Sequence, residues 1–115
     1  MVDIGKIDFE SKSEVGVWVD IKYPDGSDAG FRWKVKGPYS KSVIAFYEQL
    51  GDVRLEDGDV SVIADLVVAA TAEIENLELN GVPVDSKNCK QILLKHHRWL
   101  LPQLMQKTAD FSLFK

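Results

Sequence analysis

Residues 15–36 read VGVWVDIKYPDGSDAGFRWKVK, and the period of this stretch decides the fold. Val15, Val17, Val19, Ile21 and Tyr23 alternate with Gly16, Trp18, Asp20 and Lys22, the pattern of a strand with one buried face. Pro24-Asp25-Gly26 then supplies turn chemistry, with φ preset at the proline and a positive φ open to the glycine. On the return, Phe31, Trp33 and Val35 share one face while Arg32, Lys34 and Lys36 share the other. The two segments therefore pair as an antiparallel hairpin. A lone hairpin is marginal in water, so its apolar face needs helices or another chain to cover it.

Those helices follow. Gly37-Pro38 ends the second strand, and Ser40 or Ser42 is placed to cap a helix in which Val43, Phe46, Tyr47 and Leu50 form one face and Gly51 the stop. The charges of Glu56-Asp57-Gly58-Asp59 suit a helix amino terminus. Beyond them Ile63, Leu66, Val67, Ala70, Ile74 and Leu77 keep helical spacing and predict a long central helix. Asn80-Gly81 and Pro83 break the chain, and Asp85 or Ser86 caps a third helix through Cys89, Ile92 and Leu93 to about Lys95. His96-His97-Arg98 reads as a hinge into a last helix through Trp99, Leu100, Leu101, Leu104 and Met105, where Pro102 is tolerated in the first turn. Strand segments that precede helical ones predict an α+β fold, an N-terminal antiparallel β-hairpin packed on about four α-helices. It forms one domain over residues 1–115, divided into an arm or extra strand (1–14), the hairpin (15–36), the helical part (40–110) and an apolar tail (111–115).

Composition excludes several roles. With 18 acidic and 14 basic side chains the net charge is -4, so no global positive field draws nucleic acid. The single Cys89 forms no internal disulfide, which fits a reducing cytoplasm. Met1 to Glu10 carries charges at Asp3, Lys6, Asp8 and Glu10 and lacks the apolar core of a secretory signal. The longest apolar run, Leu66 to Ala70, falls far short of the ~20 residues a membrane span needs. Neither nucleic acid nor membrane is expected as a partner.

Catalytic and metal chemistry find no constellation. His96 and His97 are adjacent, so on a helix their side chains diverge by about 100° and do not converge on one metal. Cys89 and His96 share a helical face, but no third orienting group or oxyanion pocket accompanies them, and a small buried cysteine is the better reading. Glu56, Asp57 and Asp59 lack the alternating ligands of a calcium loop. There is no G-x-G-x-x-G, P-loop or G-x-S-x-G. The expectation is a binding protein rather than an enzyme, with no cofactor and no metal.

Two features exceed what a plain domain requires. Trp18 lies on the strand face opposite the core residues, and Phe111, Leu113 and Phe114 crowd the last five positions. Such side chains either dock on the domain's own core or form an exposed apolar binding surface. In the tail, each large apolar side chain gains ~1.5–3 kcal/mol if buried, while ordering a free end costs ~1–2 kcal/mol per residue. These nearly cancel, which predicts a mobile binding element whose removal leaves stability almost unchanged.

The carboxy-terminal half carries a resemblance. Ile74-Glu75-Asn76-Leu77-Glu78-Leu79-Asn80-Gly81-Val82-Pro83-Val84, then Asn88, Trp99-Leu100, Gln103 and Asp110-Phe111, is similar in order and spacing to the tail assembly chaperones of long-tailed bacteriophages. The strand, Pro-x-Gly turn, second strand and helix-initiating serine of residues 17–42 resemble the family's opening. Departures are Ile74 where an aromatic is usual, Cys89 where alanine is usual, and Pro102. The resemblance implies a protein of the host bacterial cytoplasm, absent from the mature virion, that keeps the tape measure protein soluble while the tail tube assembles. It also implies homo-oligomers, and a longer frameshifted form that recruits tail tube protein. The alternatives are a minor tail or connector component of the virion and a small phage-encoded regulator of a host protein. The candidate partner-binding residues are Trp18, Trp99, Phe111, Leu113 and Phe114.

Overall fold

The computed structural model describes residues 1, 9–51, 60–95 and 98–114. Among them the chain runs α1 (Phe9–Val15), β1 (Val17–Lys22), β2 (Asp28–Val35), α2 (Lys41–Leu50), α3 (Val60–Ala69), β3 (Thr71–Glu75), β4 (Glu78–Leu79), β5 (Val82–Pro83), α4 (Cys89–Lys95), α5 (Leu100–Thr108) and a 3-10 turn, Phe111–Phe114. The fold is α+β, with the hairpin of β1 and β2 near the amino terminus and helices after it. Val17 faces Val35 and Val19 faces Trp33 in this antiparallel pair, so the alternation in the sequence sets the register. Val19, Ile21, Phe31, Trp33 and Val35 are buried and pack on Ala64 and Val67 of α3, Ile92 and Leu93 of α4, and Leu100, Leu101 and Leu104 of α5. A second cluster of Val43, Leu66 and Ala70 holds α2 against the opposite side of α3.

The central helix is shorter than its apolar spacing predicts. It ends at Ala69, and residues 71–75 form a third strand antiparallel to β2 in a sheet ordered β1-β2-β3. Tertiary pairing overrides local period here. Lys36 donates its N–H to Ala70 O at 2.6 Å, and the β-branched Thr71 and Ile74 settle opposite Val35 and Trp33. Asn80 and Gly81 both take positive φ and close the two-residue turn between β4 and β5, as asparagine-glycine favours.

Residues 9–15 form a helix, and the rest of the expected arm or extra strand, 2–8, lies outside the described residues. Val15 belongs to α1 and is exposed, not part of the hairpin face. Gly16 separates the two elements at φ +87°, and a Cβ there would sit 2.8 Å from Val35 O. Only glycine meets both demands.

Helix α2 is capped from another element. Ser40 occupies the cap position, but its hydroxyl donates to Gly37 O, and that of Ser42 donates to Ala69 O. Glu14 of α1 accepts the free Lys41 N–H at 2.8 Å and lies 3.7 Å from Lys36 Nζ. The backbone bond from Lys41, and after it the charge of Lys36, holds the Glu14 carboxyl below its usual 4.5. A folded-state value below the unfolded one stabilises above the unfolded value and is lost as pH falls through the folded one. Glu14→Gln should therefore lower the urea midpoint at neutral pH, and its gap from the parent should close as the pH falls through the lowered carboxylate range. A gap that persists in acid would mean that the carboxylate's charge is irrelevant to the cap.

Asp85 does cap the α4 segment, accepting from Lys87 and Asn88 N–H at 2.8 and 3.1 Å, while Asn88 Oδ1 accepts the Asp85 N–H in return. The expected helix start at Glu56 to Asp59 and the hinge at His96-His97 lie outside the described residues.

Candidate functional site

Edge strand β1 and helix α5 flank an open groove of about 790 Å³, lined by Trp18, Tyr23, Trp99, Pro102, Gln103 and Leu113 among others. Its floor follows from the hairpin. Because Val19 and Ile21 turn inward, Trp18 is left on the outer face, half-buried, with the Arg32 guanidinium 4.7 Å and Lys34 Nζ 5.7 Å from its ring. Glu75 on β3 binds Arg32 at 2.6 Å. Trp18 is thus fixed beneath cations rather than buried, a geometry worth ~0.5–1 kcal/mol at exposed sites.

The wall comes from α5. Trp99 occupies its amino-terminal cap position and packs on Tyr23, ring centroids 5.5 Å apart. Pro102 sits in the first turn, where a missing N–H breaks no helical bond. One residue on, Gln103 reaches across to β1. Its Oε1 accepts Lys22 N–H at 3.2 Å and its Nε2 donates to Lys22 O at 3.0 Å. A side-chain amide here takes the place of a neighbouring strand's peptide group.

Tyr23 and Trp99 also line a second cavity of about 320 Å³ with Phe31, Leu77, Val84 and Ile92. The groove and the second cavity therefore share these two rings.

Of the five residues expected to bind a partner, Trp18, Trp99 and Leu113 converge on this groove. Phe114 does not. Its side chain is fully buried over Gly37, where an added Cβ would lie 2.9 Å from its ring. The tail is not a mobile element at this position, because Asp110 Oδ1 accepts from Ser112 N–H and Oγ at 3.0 and 2.6 Å and winds the end into its 3-10 turn. The Phe111 side chain lies outside the described residues.

Tyr23 and Gln103 were not singled out by residue type. The partners Gln103 and Lys22 stand 81 residues apart, and no local pattern announces such a pair.

The groove presents aromatic, amide and cationic side chains. No group of three or more metal-ligating side chains occurs among the described residues. Cys89 is buried away from the groove, and burial pushes its thiol up to about 11, which keeps it protonated and unreactive at neutral pH. No described helix is long and apolar enough to cross a membrane. Comparison of the chain with protein-family models, with curated proteins and with solved structures returns no match.

Proposed function

We propose that this protein is a non-enzymatic tail assembly chaperone that holds the tape measure protein of a long-tailed phage soluble in the host bacterial cytoplasm. The convergence of Trp18, Trp99 and Leu113 on one open groove carries the reading, since aromatic anchors in a recess supply most of the energy at protein interfaces. The order of residues that resembles this family, from Ile74 to Phe111, supports the same reading. One groove grips weakly, and a row of self-associated subunits along a long client multiplies that grip through effective concentration. Exposed Ile44 and Tyr47 on α2 offer apolar surface for such self-association. Tail tube protein would join through a longer frameshifted form, and the chaperone would leave before the virion matures.

Co-expression with the tape measure protein encoded beside it should bring that client into the soluble fraction and co-purify the pair. Trp18→Ala should weaken the association about tenfold, the low end for truncating an aromatic anchor, with the fold retained by circular dichroism. A client that stays insoluble beside the parent protein would sink the chaperone reading.

A further inference from the structure

We infer that the groove reads its partner's main chain, by accepting an extended, acidic segment as a fourth strand along β1; the identity of that partner rests on the chaperone reading, the mode of binding does not. Among the described residues the sheet order leaves β1 at an edge. Lys22 directs its N–H and C=O away from β2 to Gln103. Alternation along a strand then aims the same groups of Asp20 and Trp18 into the groove.

The alternation is unbroken on β1. From Asp20 to Lys22 this strand advances two residues while β2 advances four, from Arg32 back to Asp28. The extra residues therefore belong to β2. Neither Trp18 nor Asp20 bonds any group on its outer side among the described residues. Among the described residues, four main-chain groups thus stand unpaired beside an open groove. Edge strands left in this state are templates for pairing unless blocked. Gln103 blocks only the Lys22 end, and so sets where an added strand must stop.

Charge selects the occupant. Lys22 and Lys107 line the groove and Lys34 stands over Trp18, none of them in an ion pair among the described residues. Asp20 is the only carboxylate in the lining among the described residues, and it faces Arg32 across the hairpin. Asp110, near Lys107, spends its carboxylate on Ser112. A positive groove on a chain of net charge -4 favours a segment with acidic side chains at alternate positions.

The test uses the full chain and a synthetic octapeptide alternating valine with glutamate and threonine. Titration followed by amide NMR should move Trp18, Asp20 and Lys107 first, and bound peptide should slow hydrogen exchange at Trp18 and Asp20. Methylating the peptide nitrogens one at a time should weaken binding about tenfold at two positions two residues apart and leave the residue between them nearly unaffected, since alternate N–H groups point away. Replacing glutamate by lysine should weaken it severalfold more as salt is lowered. A flat methylation profile, a helical bound peptide, or shifts confined to other faces would overturn the inference. So would a dimer in sedimentation that itself protects the Trp18 and Asp20 amides, because the edge would then belong to a second copy. Absence of peptide binding beside successful client solubilisation would remove strand addition and leave the chaperone reading standing; the reverse pair of results would do the opposite.

Discussion

Phe114→Ala is expected to destabilise the protein by about 3–5 kcal/mol, the usual cost of emptying a phenylalanine site in a packed core. The ring is fully buried and belongs to the main cluster. The chain is built around it. Gly37 has no side chain, and a Cβ there would come within 2.4 Å of Ser13 Oγ and 2.9 Å of the Phe114 ring. The Ser13 hydroxyl is itself buried without a hydrogen-bond partner among the described residues, so the pocket that receives the ring accepts a polar penalty to keep its shape. Balanced against a total stability of about 5–15 kcal/mol, the loss should lower the melting temperature by more than about 10 °C. Deleting residues 111–115 should do at least as much. Thermal and urea melts decide it, and an unchanged midpoint would restore the picture of a free tail.

That outcome marks where residue patterns speak clearly and where they do not. The hairpin was legible because alternation is local: one slip in register would have turned Trp33 and Ile21 to water. Gly51, Asp85 and Pro102 also act where their backbone chemistry predicts. The tail's energy terms nearly balance when counted alone, so its own residues do not decide whether it docks. What tips them is a hole shaped by Gly37 and Ser13, about 80 and about 100 residues away from Phe114 in the chain. The cap on α2 escaped for the same reason, since Glu14 reaches Lys41 through space rather than along the chain. In the groove, Trp18 and Leu113 were visible as apolar residues beyond what the core needs. Gln103 was not, because a glutamine on a helix carries no sign that a strand edge lies opposite. Residues 71–75 failed differently: Thr71 and Ile74 fit either period, and only the free edge of β2 decides between them.

Trp33→Ala should cost about as much as the loss of Phe114, roughly 3–5 kcal/mol, and the reason shows how the third strand is held. Trp33 is fully buried at the centre of the sheet, paired with Val19 on one side and Ile74 on the other. Its indole Nε1–H donates to Thr71 Oγ1 at 2.9 Å, and that hydroxyl donates onward to Val67 O at 2.7 Å. Thr71 is the residue at which α3 gives way to β3, so this relay ties the last turn of the helix to the middle of the sheet. Thr71→Val keeps the shape but leaves the buried indole N–H unpaired, at a cost of about 1–3 kcal/mol. Combined with Trp33→Phe, which removes the donor, the valine should cost distinctly less than it does alone, because no orphaned donor remains. Urea melts of the four proteins in this cycle give the coupling. If the two substitutions simply add, the indole bond contributes nothing, and the junction of helix and strand is held by apolar packing alone.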